Sequence, residues 1–374
     1  MQSHSIQELT DFSGNFHLLY PHSNGFTQGG DSVILTRVES ERVSLWRYDL
    51  ETGAPRKLCE FPRDSQPERT LWADVAPDKN LLVTIADNAI WLIDLNSEHP
   101  APRHVYQPET GILHILPSIN RSGTAIAFGL FPTLDSLRWN KTPPGTLAHP
   151  GNIFRGMTLD IATGTAKKLF EKTWMTNHFH FCPHDESWLG FSHEGQPHDV
   201  KDRVWCWHEK QAPVGRCVFD QKTGSPDTTL YAGHERWSHH DTSVFVVAYG
   251  VSPGEPCGVY ESFPDGRPTR LVSPAGRDWH VDVSRCGRWA VVDTSGPHDL
   301  PGKGWEGSNH ESDIILIETT SGRRHFLAHS RIGHSHPSHP HPVFSPDARF
   351  IYFNKADDSR TYNQVLRVAN PLQA

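Results

Sequence analysis

The sequence predicts an all-β fold, a seven-bladed β-propeller built as a single domain over residues 1–374. Three observations predict it. Helical periodicity is almost absent, and short runs of Val, Ile, Phe, Tyr and Trp are punctuated by Gly, Pro, Asn and Asp. One turn–strand–strand–turn theme also returns seven times. Radial blades of about 40–50 residues leave few strand edges exposed, and the regular return of one turn chemistry favours them over paired β-sandwiches.

The repeats follow in order along the chain. The first runs from Phe26-Thr27-Gln28-Gly29-Gly30 through strands at 32–36 and 45–50 to Thr52-Gly53. The second sets Ala76-Pro77-Asp78 before strands at 81–85 and 89–94. The third has Asn120-Arg121-Ser122-Gly123, then 125–129 and 157–160 with Thr163-Gly164. The fourth has Cys182-Pro183-His184-Asp185, then 188–192 and 203–207. The fifth has Ser238-His239-His240-Asp241, then 244–248 and 258–262 with Asp265-Gly266. The sixth has Ser284-Arg285-Cys286-Gly287, then 289–292 and 313–318 with Ser321-Gly322. The seventh has Ser345-Pro346-Asp347, then 350–353 and 364–368. Residues 6–10 read as a short outer strand able to join the last blade.

Composition narrows the function classes. With 36% hydrophobic and 21% charged residues the chain can form a packed core, so global disorder is excluded. Its 35 Lys and Arg against 43 Asp and Glu give a net charge of −8, unlike a nucleic-acid-binding face. The strongest apolar runs, 244–249 and 314–317, fall far short of the roughly 18 residues of a spanning helix, so no membrane partner is expected. The opening Met1-Gln2-Ser3-His4-Ser5 lacks a secretory layout, and six scattered cysteines include no C-x-x-C pair. Reduced thiols and a cytoplasmic location are the expectation. There is no phosphate-binding G-x-x-x-x-G-K-[ST], no H-E-x-x-H and no W-D dipeptide.

The 25 histidines carry the functional signal. His178, His180, His234, His280, His339 and His341 each precede the turn of a repeat, where the inner ends of blades converge. The densest run is Gly333-His334-Ser335-His336-Pro337-Ser338-His339-Pro340-His341-Pro342. In an extended segment His339 and His341 point to one face, and the flanking prolines stiffen the backbone. Neutral imidazole is a common ligand of divalent transition metals, and His280 adds a further candidate. A solubilising histidine tract is the alternative.

Two further clusters stand out. Ser192-His193-Glu194-Gly195-Gln196-Pro197-His198-Asp199 reads as a loop leaving a strand, and Arg203 opens the next one. Arg203 can grip a carboxylate in bidentate fashion, or equally pair with Asp199 or Asp202 on the surface. In Gly233-His234-Glu235-Arg236-Trp237, a histidine beside a carboxylate can serve as general base or as a hydrogen-bonded core residue.

Taken together, these motifs resemble the oligogalacturonate lyases, bacterial propeller enzymes that shorten pectin-derived oligouronides by β-elimination. Trp174 to His178, His193-Glu194-Gly195, His198-Asp199 and Arg203-Val204-Trp205 are similar to the family's W-x-x-H, H-E-G-P-H-D and R-x-W. Gly233-His234-Glu235-Arg236-Trp237 is similar to T-H-E-F-W, Trp279-His280 with Cys286-Gly287 to its S-H and D-G blade start, and Ser338-His339-Pro340-His341-Pro342-Val343-Phe344-Ser345-Pro346-Asp347 to T-H-P-H-P-x-F-T-P-D. The resemblance implies a manganese site on His280, His339 and His341, with His336 where the family has glutamine. That replacement shifts the preference toward zinc or nickel as alternatives. It further implies His234 as catalytic base and Arg203 as its assistant; the position of His234 at the inner start of the fifth blade is expected to set it across the channel from the metal. Substrate contacts would come from His178, His193, Glu194 and His198, and from His17 and Tyr20, the remnant of an N-terminal H-R-N-Y. An oligouronide is then the expected partner and a 4,5-unsaturated uronate the product. A lyase for a different uronate, or a non-catalytic sugar-binding sensor, is the alternative reading.

Overall fold

The computed structural model describes residues 5–66, 68–133, 152–224, 226–334 and 337–373. Among them the regular secondary structure is almost entirely strand, with one 3-10 turn at Phe12–Gly14, and no helix is long and apolar enough to cross a membrane. The strands form seven small antiparallel sheets. They belong to two compact units: a continuous one, Ser23–Val218, and a discontinuous one, Met1–His22 with Phe219–Ala374.

The continuous unit carries four sheets. The first contains the meander Ser32–Val38, Arg42–Asp49 and Pro55–Pro62, and the second Ala73–Val75, Leu81–Ala86, Ala89–Asp94 and Arg103–Tyr106. In the third, Ile112–Leu113 and Ser118–Ile119 both pair with Ala125–Phe131, which leads to Phe154–Asp160 and Ala166–Lys172. The fourth is Thr176–Phe181, Trp188–His193, Val204–His208 and Ala212–Cys217. The expected turn chemistry closes these meanders. Asp49 Oδ1 accepts from the Thr52 amide (2.7 Å) and hydroxyl (2.8 Å), and Gly53 takes the left-handed φ of 72° that ends the turn. Asp160 and Thr163 repeat the two bonds at the same distances. Val83, Ile90, Leu92, Ile126, Phe128 and Leu159 pack the second sheet on the third.

The discontinuous unit carries three sheets. The fifth is Ala232–Trp237, Val244–Ala248, Gly258–Ser262 and Arg270–Pro274; the sixth is Asp278–Val283, Trp289–Thr294, Glu311–Glu318 and Arg324–Arg331. The seventh orders Val343–Phe344, Phe350–Ala356 and Asn363–Ala369, then closes with Ile6–Glu8, where Ile6 pairs with Val368 and Glu8 with Leu366. The outer strand read at 6–10 is therefore present. Val244–Ala248 and Trp289–Thr294 are buried along their whole length, which explains the unbroken apolar sequence of the first and the apolar run 289–292 of the second. A buried ion pair ties the three sheets: Arg236 Nε donates to Asp282 Oδ1 at 2.7 Å, and Asp282 Oδ2 accepts the Phe344 amide at 2.8 Å.

One irregularity recurs where the histidines lie. The first strands of the fourth, fifth and sixth sheets each place two residues against one on the neighbouring strand: His178 and Phe179 against Phe191, His234 and Glu235 against Val246, Trp279 and His280 against Asp293. These are β-bulges, which re-aim side chains at the ends of sheets. His178 (φ 53°) and His234 (φ 50°) adopt a left-handed backbone, a strained choice for a non-glycine residue and one typical of functional positions.

Candidate metal centre

His280, His339 and His341 each offer a ligand nitrogen, and these nitrogens lie within 4.8 Å of one another. The sixth sheet supplies His280 from its bulge, and the segment entering the seventh supplies the other two. Pro340 sits between the two imidazoles of that segment, and His341 takes φ 46°. Asn354 clamps the segment: its Nδ2 donates to the His339 carbonyl at 2.9 Å, its amide donates to the Pro340 carbonyl at 2.7 Å, and its Oδ1 accepts the Leu18 amide at 2.8 Å.

Asp293 orients the set. Its Oδ2 accepts from His280 Nδ1 at 2.8 Å, and its Oδ1 accepts the His280 amide at 2.7 Å. Oδ2 also accepts the amide of His341 at 3.2 Å, so one carboxylate joins the two sheets. In the bulges of the fourth and fifth sheets the equivalent position holds Phe191 and Val246, both fully buried. An acid in that place makes sense only if it works. It fixes His280 with Nδ1 protonated, which leaves Nε2 as the ligating nitrogen, and its charge offsets that of a bound cation. Three imidazoles backed by a buried carboxylate fit a divalent first-row ion. His336 lies outside the described residues.

His234 stands beside this cluster rather than across from it. Its ring centroid is 4.1 Å from that of His280, because neighbouring sheets bring their bulges together. Nδ1 is 2.6 Å from the Trp279 carbonyl oxygen, which can only accept. Nδ1 therefore carries the proton, and Nε2 is the basic nitrogen of the neutral ring. Tyr249 and Trp279 pack edge-on against the imidazole at 5.3 and 5.2 Å. Tyr20, on the entering chain, lies 5.5 Å from His341 and 4.8 Å from His22, while His17 is fully buried with Nδ1 against the Leu18 carbonyl at 3.0 Å.

The remaining candidates lie in the continuous unit. Arg203 pairs with Glu194, Nη2 to Oε1 at 2.7 Å with both side chains buried, and not with Asp199 or Asp202. The same Oε1 accepts from Ser192 Oγ at 3.1 Å and lies 3.8 Å from His178 Nε2. His193 turns away from this cluster and packs on Trp205 and Trp174, at 4.7 and 6.0 Å. Burial, reinforced by the nearby Lys172 charge, lowers its pKa to about 3, so it is neutral at physiological pH. His198 is exposed, with Nε2 3.6 Å from Asp199.

Sequence reasoning missed Asp293 and Asn354. A lone acid ending the apolar run Trp289-Ala290-Val291-Val292 was a usable signal for the first. The second gave none, since its partners lie on segments distant in sequence, Leu18 and His339-Pro340.

Known proteins resemble the chain throughout. An oligogalacturonate lyase of Dickeya dadantii is 24% identical over 359 residues, covering 92% of this chain and 88% of its own length. An oligogalacturonide lyase of Pectobacterium atrosepticum is 24% identical over 237 residues, 59% of this chain and 57% of its own. Among solved structures, an oligogalacturonate lyase in complex with manganese superposes with a TM-score of 0.80 at 20% identity, covering 98% of this chain and 93% of that one. An oligogalacturonate lyase of Vibrio parahaemolyticus gives 0.80 at 17% identity over 98% and 94%. No protein-family profile matches. These likenesses bear out the fold, a seven-bladed β-propeller, and the resemblance read from the motifs.

Proposed function

We propose that this protein is a metal-dependent carbon–oxygen lyase that cleaves oligogalacturonides by β-elimination, releasing a 4,5-unsaturated uronate. The observation that carries the reading is the position of His234, a base with a fixed tautomer, in contact with a carboxylate-anchored imidazole triad. The similarity to oligogalacturonate lyases supplies the substrate class.

Abstraction of the C5 proton is hard because the adjacent carboxylate is already negative. A divalent cation on His280, His339 and His341, manganese by similarity, supplies Lewis-acid neutralisation of that carboxylate. C5 is bonded to the carboxylate carbon, so a base is needed next to the triad, and His234 is there. Its Nε2 takes the proton while Nδ1–H stays on the Trp279 carbonyl, which stabilises the imidazolium that forms. Electrons from the C5–H bond form the C4–C5 double bond, and O4 departs with the neighbouring sugar, protonated by water. Arg203, held by Glu194, offers a guanidinium suited to a carboxylate.

The test is absorbance of the conjugated unsaturated uronate on incubation with trigalacturonate. Absorbance should grow with Mn²⁺, stop on chelation and return on readdition. Binding of the sugar with no unsaturated product would favour the sensor reading instead.

A further inference from the structure

The connection 295–310 between the second and third strands of the sixth sheet is wound around one guanidinium. Arg277, buried, donates from Nη1 to the carbonyls of Ser295 (2.9 Å) and Gly304 (2.6 Å). Its Nη2 reaches those of Pro301 (2.7 Å) and Glu306 (3.2 Å), and its Nε that of Leu300 (3.1 Å). All five N–H groups thus meet backbone of this one connection. A second device fixes it against the fifth sheet. The Gly304 amide donates to the Gly276 carbonyl at 2.7 Å, and a Cβ on Gly250 would stand 1.7 Å from that same oxygen. Lys303 Nζ adds bonds to the Ser252 carbonyl (3.1 Å) and to Glu255 (2.8 Å).

The residue so placed is Trp305. Its ring meets Trp279 edge-on, centroids 4.9 Å apart, and Trp279 in turn lies 4.7 Å from Tyr249 and 5.2 Å from His234. Both tryptophans are half-buried. An indole kept partly in water by so many backbone bonds is a ready apolar surface for a ligand, one aromatic ring removed from the base.

We propose that Trp305 is a substrate-binding residue, its exposed surface receiving the apolar face of a pyranose ring of the oligouronide, with Arg277 as the residue that positions it. This rests on the function proposed above. In a galacto-configured ring the C–H bonds at C3, C4 and C5 share one face, and that face can lie on an indole while the carboxylate and hydroxyls point elsewhere. Trp279, with its backbone carbonyl on His234 and its ring on Trp305, couples the sugar's seat to the base.

The experiment compares Trp305→Ala and Trp305→Phe with the parent, all Mn²⁺-loaded, in steady-state elimination of trigalacturonate and in direct titration with it by calorimetry. The expected result is a KM raised about tenfold or more by Trp305→Ala, with kcat nearly unchanged, and largely restored by Trp305→Phe. Metal content and thermal midpoint should stay parental. An unchanged KM with a lowered midpoint would make Trp305 a packing residue and overturn the proposal. If the parent binds trigalacturonate without eliminating it, and Trp305→Ala weakens that binding, the sugar seat stands while the lyase reading falls. A parent that neither binds nor cleaves the sugar overturns both.

Discussion

The bulge of the fourth sheet and that of the fifth are the same backbone device, yet they serve different chemistry. Each opens on a left-handed histidine, His178 or His234, followed by a buried residue. Around His178 the neighbours are ionic: Glu194 and Arg203 form a buried pair and Ser192 completes it. Around His234 the neighbours are aromatic and imidazole rings, and charge enters one step removed through Asp293 on His280. A buried ion pair is tuned by what it lacks when a partner goes. An imidazole cluster is tuned by the tautomer of each ring. The difference teaches that a shared backbone irregularity marks where chemistry can sit, and that the side chains gathered around it, Glu194 and Arg203 in one case and His280 with Trp279 in the other, decide which chemistry it is.

The comparison breaks most visibly at the metal ligands. A His339→Ala/His341→Ala protein should lose its divalent ion by elemental analysis and its elimination activity to background, with the fold retained by circular dichroism; equal metal in parent and variant would end the assignment. Next comes His234→Ala, for which kcat should fall roughly 10²–10⁴-fold while metal content stays parental. Near-normal turnover would reduce His234 to a packing residue.

The fourth-sheet cluster should answer in a different currency. Glu194→Gln leaves Arg203 buried without its counter-charge, which costs about 3–5 kcal/mol in typical buried pairs. A large drop in thermal midpoint with unchanged metal content is expected, and a loss of metal instead would erase the contrast between the two regions. Asp293→Asn makes the converse case: metal affinity should fall about 10–100-fold in a titration with Mn²⁺ while the midpoint of the metal-free protein changes little.

The last effect is a pH dependence. His114 and His193 are both held neutral by burial, each with its pKa lowered to about 3 from an ordinary 6.5. Above 6.5 neither state of the protein binds the proton, so no stability depends on them. As pH falls from 6.5 toward 3 the unfolded chain gains protons that the folded chain refuses, and stability declines. A His193→Phe variant should show a shallower decline in urea midpoint over that window; an unchanged slope would mean that His193 is protonated in the folded state.

The strands were legible in the sequence because their turns are local: Asp49 with Thr52 and Gly53 specifies its own geometry, and 244–248 and 258–262 are observed with the bounds expected. The triad was legible because two of its members sit two residues apart on a proline-stiffened segment. What stayed hidden depends on register between distant strands. Asp293 meets His280 only because a bulge shifts the pairing by one residue. Glu194 rather than Asp199 or Asp202 meets Arg203 because the hairpin sets His193 opposite Arg203, a register that the loop sequence does not reveal. The expected placement of His234 failed on the same ground, since its distance from His280 follows from sheet packing and not from spacing along the chain.

The clasp between Ile6–Glu8 and Asn363–Ala369 has a consequence for synthesis on the ribosome. Domains form as their residues emerge, and Ser23–Val218 is contiguous, whereas the unit bearing the imidazoles must join residues before 23 to residues after 218. Asn354 grips both Leu18 and the His339 carbonyl, a link spanning 336 positions. The imidazole cluster therefore waits for residue 354 to emerge, and a chain stalled before it would leave the segment 339–341 unfastened.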